Sequence, residues 1–116
     1  MLLIYGSPKE WDTRTDDEVR TLMDGYGRLG ADLRSAGKLV RGEELQPVGM
    51  ATSVQVRDGD TVVRDGPFAE TKEVLGGFYL IEAETLDEAI DWASRIPDAQ
   101  NGTVEVRPVV DHSESA

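Results

Sequence analysis

The segment Asp65-Gly66-Pro67-Phe68-Ala69-Glu70-Thr71-Lys72-Glu73 sets three acids, a lysine and a threonine within nine residues. It opens on a turn signal and runs through Gly76-Gly77 into the apolar stretch Phe78-Tyr79-Leu80-Ile81. Fixed charges on a stiff backbone beside an apolar wall are what a small-molecule site requires. Asp65 can serve as a general base there, or hold a water or a substrate amine. Lys72 suits a substrate carboxylate, with Glu70 or Asp65 handling a proton. Phe68 and Tyr79 are the aromatics placed to roof such a site, whose ligand would be small and polar with some apolar character. A plainer reading competes at each position. An aspartate before Gly-Pro often caps its turn by accepting amide hydrogen bonds. A lysine between two glutamates is often a surface ion pair worth under about 1 kcal/mol.

Other reactive groups are scarce. His112 is the single histidine and lies in a polar tail, a poor position for a general base that must be held within hydrogen-bond reach of its target. Cysteine is absent, which removes disulfides, thiol nucleophiles and the usual zinc cages and suits a cytoplasmic location. With no histidine pair and no regular oxygen-ligand loop, neither a metal nor another cofactor is expected. Asp58 and Asp60 flank a hairpin glycine and need no further role. Twenty-three acids against twelve bases give a net charge of −11, which repels a nucleic-acid backbone. No apolar run approaches the roughly 20 residues of a membrane span, and Met1 to Tyr5 is too short for a signal peptide.

The chain of 116 residues is long enough for one domain. Leu2 to Tyr5 reads as a strand, followed by a polar loop through Trp11. Thr15 and Glu18 form a capping box ahead of an apolar stripe at Val19, Leu22, Met23, Tyr26, Leu29 and Leu33. Gly25, Gly27 and Gly30 weaken that helix, which implies the close approach of another backbone. Gly37 stops it. Leu39 to Leu45 is a second strand, and Thr52 to Val56 with Thr61 to Arg64 form a hairpin about Asp58-Gly59. Gly77 to Ala83 is the next strand. Thr85 and Glu88 repeat the capping box before a second helix, which Pro97 stops, and Thr103 to Val109 closes the pattern. Residues 1–110 thus form the domain and 111–116 a polar tail. The order is two β-α-β halves separated by a hairpin, an α+β plan of ferredoxin-like type with both helices on one face of an antiparallel sheet. Apolar residues fall on both sides of the strands at Leu2 to Tyr5 and Phe78 to Ile81. One helix layer cannot bury both faces, so a homodimer with facing sheets is expected.

The Asp65-Gly66-Pro67-Phe68 signature with Ala69 to Glu73, the Gly76-Gly77-Phe78-Tyr79 run, Tyr5-Gly6 and the late Gly102 to Pro108 segment resemble DGPF-domain proteins of the YCII-related family. The resemblance spans residues 1 to about 110. It implies a ferredoxin-like protomer pairing into a dimeric α/β barrel, with a largely undefined biochemical role. Shorter relatives are associated with a histidine–aspartate pair whose histidine lies on the first helix. Here Tyr26 stands at roughly that place, so the pair is not carried over and Asp65 is the remaining family-supported candidate. The resemblance also implies a regulatory alternative, since DGPF proteins are often encoded beside, or fused to, extracytoplasmic-function sigma factors. A contact of that kind would run through exposed acids (Asp12, Asp16, Asp17, Glu18, Glu43 and Glu44) and not through DNA.

Overall fold

The computed structural model describes residues 1–69 and 71–113. Its element order is β1 (Leu2–Gly6), α1 (Pro8–Asp12), α2 (Asp16–Ser35), β2 (Leu39–Glu44), a 3-10 turn (Val48–Met50), β3 (Thr52–Arg57), β4 (Asp60–Asp65), β5 (Val74–Ile81), α3 (Leu86–Ser94), a second 3-10 turn (Pro97–Gln100) and β6 (Thr103–Val106). Four strands form one antiparallel sheet in the order β2-β5-β1-β6, and β3-β4 forms a separate two-stranded sheet. The fold is α+β, with the two β-α-β units β1-α2-β2 and β5-α3-β6 meeting at the central pair β1 and β5.

Local chemistry sets the boundaries. At the start of α2 the capping box is complete: Glu18 N–H donates to Thr15 Oγ1 at 3.1 Å, and Thr15 N–H donates to Glu18 Oε1 at 3.3 Å. The helix ends at Gly37, whose φ of +70° admits the two closing bonds, Gly37 N–H to Arg34 O and Lys38 N–H to Leu33 O. Only half of the second capping box forms. Thr85 Oγ1 accepts from Glu88 N–H, but the Glu88 carboxylate accepts from Glu84 N–H instead of Thr85.

Three expectations need correction. The loop before Trp11 contains α1, started by Ser7 with Pro8 in the first turn, where a missing N–H costs nothing. Its Trp11 indole lies against Gly6 and Gly76, where an added Cβ would stand 2.5 and 2.6 Å from the ring. Next, β5 begins at Val74 and carries both glycines inside it. Ile4 pairs with Gly77 and Tyr5 with Leu75, a bulge at Gly76, while a Cβ on Gly77 would meet Glu43 O at 2.7 Å. Finally, β6 stops at Val106, the last ladder bond running from Arg107 N–H to Met1 O before Pro108, which has no N–H to give. The glycines of α2 also differ from expectation. Gly25 makes room for the Pro97 side chain, and nothing lies within 4 Å of a Cβ on Gly27.

The core lies on one face of the sheet. Leu2 and Ile4 of β1 meet Leu29 and Leu33 of α2, Ala93 of α3 and Ile96, all buried. Val19 and Met23, early in the same stripe, remain 42% and 57% exposed, so only the later half of α2 is seated. On the opposite face Leu3 lies across from Phe78 and Glu105, and Leu80 across from Arg41. Among the described residues no helix packs on that face. The chain is accordingly thin, 49 × 48 × 18 Å. Its radius of gyration is 16.6 Å, against about 13 Å for a compact domain of this length. Its accessible surface of 8598 Å² likewise exceeds the roughly 6,200 Å² expected for a folded monomer of its mass.

Candidate functional site

Asp65 closes β4 opposite Thr52, and the turn after it is tied to the hairpin base. Gly66, at φ +98°, donates its N–H to Ala51 O at 2.7 Å, and Ser53 Oγ donates to Gly66 O at 2.7 Å. The positive φ explains glycine here, because a side chain would be strained in that conformation. The far end of the loop is anchored as well. Thr71 Oγ1 donates to Glu73 O at 2.5 Å, and Thr103 Oγ1 of β6 donates to Glu73 Oε1 at 2.8 Å.

Between these anchors the candidate side chains face outward. Asp65 is exposed, and among the described residues no amide or cation contacts its carboxylate, so it is not capping its own turn. Phe68 is 79% exposed. Lys72 is exposed and forms no ion pair among the described residues; it borders a shallow groove of about 670 Å³ with Lys9, Glu10, Glu73 and Asn101. Glu70 lies outside the described residues. Asp65, Phe68 and Lys72 therefore belong to one loop anchored at its two ends, while Tyr79 does not join them. The Tyr79 ring is on the helix-covered face, stacked on Tyr26 with centroids 6.4 Å apart, and burial pushes its phenol above the ordinary range. Register causes this: Tyr79 pairs with Leu2, and paired residues share a face. Trp92 also packs against the core and lies 5.2 Å from the Arg95 guanidinium.

A second constellation was not expected from the sequence. Asp98, in the 3-10 turn after α3, is 8% exposed. One of its oxygens accepts from Arg14 Nη2 at 2.6 Å, and the other accepts from the Tyr26 hydroxyl. Burial first, then the bond to Asp98 and its negative charge, raise the Tyr26 phenol far above its usual value. Both carboxylate oxygens have partners and the phenol keeps its proton, so the cluster works as a clasp. It fastens the α1–α2 connection and the middle of α2 to the turn before β6. Gly102 completes the fit, since a Cβ there would collide with the Tyr5 carbonyl. The available signal was weak: Asp98 follows Ile96-Pro97 and precedes Ala99, an apolar setting for a carboxylate.

Among the described residues no three acids or histidines converge to hold a metal ion, and no helix is long and apolar enough to cross a membrane. An antiparallel sheet with two core helices, a free-standing hairpin and a glycine-rich signature loop define the class of the molecule. Residues 1–113 match the model of the YCII-related domain, and the chain belongs to that family. It is also 41% identical over 101 residues to the uncharacterized protein R00369 of Rhizobium meliloti (strain 1021), covering 85% of this chain and 79% of that relative.

Proposed function

We propose that this chain is a homodimeric small-molecule-binding domain or enzyme, with its site around the Asp65-Gly66-Pro67-Phe68 loop. The observation that supports it best is the loop itself. Its ends are tied at the Gly66 backbone and the Glu73 side chain, yet Asp65, Phe68 and Lys72 are exposed and form no hydrogen bond or ion pair through their side chains among the described residues. A loop fixed at both ends with unengaged side chains favours a ligand, because less ordering is left to oppose binding. Asp65 supplies a base or an amine acceptor, Lys72 an anchor for a carboxylate and Phe68 an apolar contact.

The dimer belongs to the same reading. The face of the sheet opposite the helices presents Leu3, Tyr5, Phe78 and Leu80, and sheets pack about 10 Å apart face to face. Two copies with facing sheets would form the α/β barrel that the family resemblance implies. The surface excess of the protomer, about 2,400 Å², is of the size that an obligate dimer buries. A thermal-shift screen of a metabolite pool, followed by Asp65→Asn, tests the site. A general base predicts a variant that binds its ligand and loses turnover; an amine acceptor predicts lost binding. Lower stability with unchanged binding and turnover would reduce Asp65 to a structural role.

A second reading, contact with a basic sigma factor, draws on the exposure of Asp12, Asp16, Asp17, Glu18, Glu43 and Glu44. It requires no small-molecule site.

A further inference from the structure

The β3–β4 hairpin buries the wrong face for a monomer. Residues alternate along its strands, and cross-strand pairs share a side. Thr52, Val54 and Val56 therefore stand with Thr61, Val63 and Asp65, and Ser53, Gln55 and Arg57 with Asp60, Val62 and Arg64. The first face is apolar apart from its ends and the second is mostly polar. An antiparallel ribbon covered on one side normally turns its apolar side inward. Here Val54, Val56 and Val63 are 60%, 60% and 59% exposed, whereas Ser53, Gln55 and Val62 are half-buried. The chain thus partly covers the middle of the polar side, at Ser53, Gln55 and Val62, and leaves the valines in water. A two-stranded hairpin standing alone is also marginally stable at best.

We propose that the hairpin is a dimerisation arm whose valine face packs on a second copy of this chain, placing the Asp65–Phe68 loop at the junction of the two copies. Three observations favour a second copy as the occupant. The protomer's excess surface matches what a stable dimer requires, and the hairpin is the part of the molecule that stands off its sheet. A chain of net charge −11 repels its own copies, so they must meet on neutral ground. The valine face is such ground: its side chains carry no charge until Asp65 at the end of β4. Finally, Phe68, 79% exposed, adds a large apolar side chain three residues beyond the end of that strand. This inference rests on the homodimer in the functional reading, and it adds the requirement that each candidate site be completed by the partner copy.

Sedimentation velocity on the double variant Val54→Asp/Val63→Asp tests it against the wild type and against Gln55→Asp on the polar face. Val54 and Val63 stand in water in the single chain and Gln55 is only half-buried on the polar side, so each variant should fold, and circular dichroism checks that it does. The arm predicts a dimer dissociation constant raised by at least about a hundredfold in the double variant and little changed in Gln55→Asp. An unchanged constant in the double variant overturns the proposal, as does a wild-type chain that sediments as a monomer at micromolar concentration. Hydrogen exchange on the unmodified chain gives an independent readout. Amides of β3 and β4 should be protected at dimer concentrations and lose protection on dilution, and protection independent of concentration would refute the arm. A failed metabolite screen with a positive sedimentation result would remove the ligand reading and leave the arm standing.

Discussion

Replacing Asp98 with asparagine should be among the most damaging single changes in the molecule. The Arg14 and Asp98 side chains are only 14% and 11% exposed, so solvent does little to screen them. An amide at position 98 removes the counter-charge of Arg14. It also turns an NH2 group toward either the guanidinium or the Tyr26 hydroxyl. Leaving one member of a buried ion pair unmatched costs about 3 kcal/mol or more. For a chain of this size that is a fall in Tm on the order of 10 °C. Tyr26→Phe keeps the ring stacked on Tyr79 and deletes only the donor to one carboxylate oxygen, so about 1.5–3 kcal/mol is expected. The two changes touch one network and should be less than additive, Asp98→Asn costing less in the Tyr26→Phe background. Urea unfolding followed by circular dichroism at fixed protein concentration measures all four corners of the cycle.

The pH dependence carries a definite sign. The folded phenol of Tyr26 is raised above its ordinary value near 10, so its stabilisation is complete below about pH 10 and is lost as pH climbs beyond that. The gap between wild type and Tyr26→Phe should therefore be constant from pH 7 to 9 and narrow above pH 10. A Tyr26→Phe cost below about 0.5 kcal/mol, additive costs, or a gap that widens in alkali would refute the reasoning.

Gly77→Ala should cost on the order of 2 kcal/mol or more, because its Cβ would meet the Glu43 backbone oxygen at 2.7 Å and the backbone cannot swing aside. Gly76→Ala meets the Trp11 ring instead, so it should cost less and red-shift the tryptophan emission as the indole is displaced; equal costs at both positions would contradict this packing. If the acidic surface docks a basic sigma factor, that binding should weaken strongly as salt rises, since exposed charges are screened within about 8 Å at physiological ionic strength. A pull-down unchanged in high salt would dismiss the electrostatic contact.

How far the sequence could be read depended on the range of the interactions involved. Features set within a few residues were legible: the Thr15–Glu18 box, the Gly37 stop, the Asp58-Gly59 turn and the alternation of β3 and β4. So was the doubled β-α-β order, because each half announces itself through local periodicity. The clasp was not, because Arg14, Tyr26 and Asp98 are joined across 72 and 84 positions of chain by hydrogen bonds that no spacing encodes. The short helix α1 escaped because five residues show no full period; Ser7 before Pro8 was its one signal. Tyr79 was grouped with the signature loop by proximity in sequence. The register with Leu2 sends it to the opposite side, a consequence of pairing that is invisible until the partner strand is known. Asp65, Phe68 and Lys72 share one loop because they are close neighbours in sequence, and all three are exposed there.

The proposed function requires this loop to receive a small molecule. A two-dimensional amide NMR titration of the wild-type chain with fractions of a metabolite pool addresses it directly, with Asp65→Asn as the comparison. At least one fraction should shift the resonances of Gly66, Phe68 and Lys72 in the wild type, with the response altered in the variant. Shifts confined to other surfaces, or none from any fraction, would contradict it.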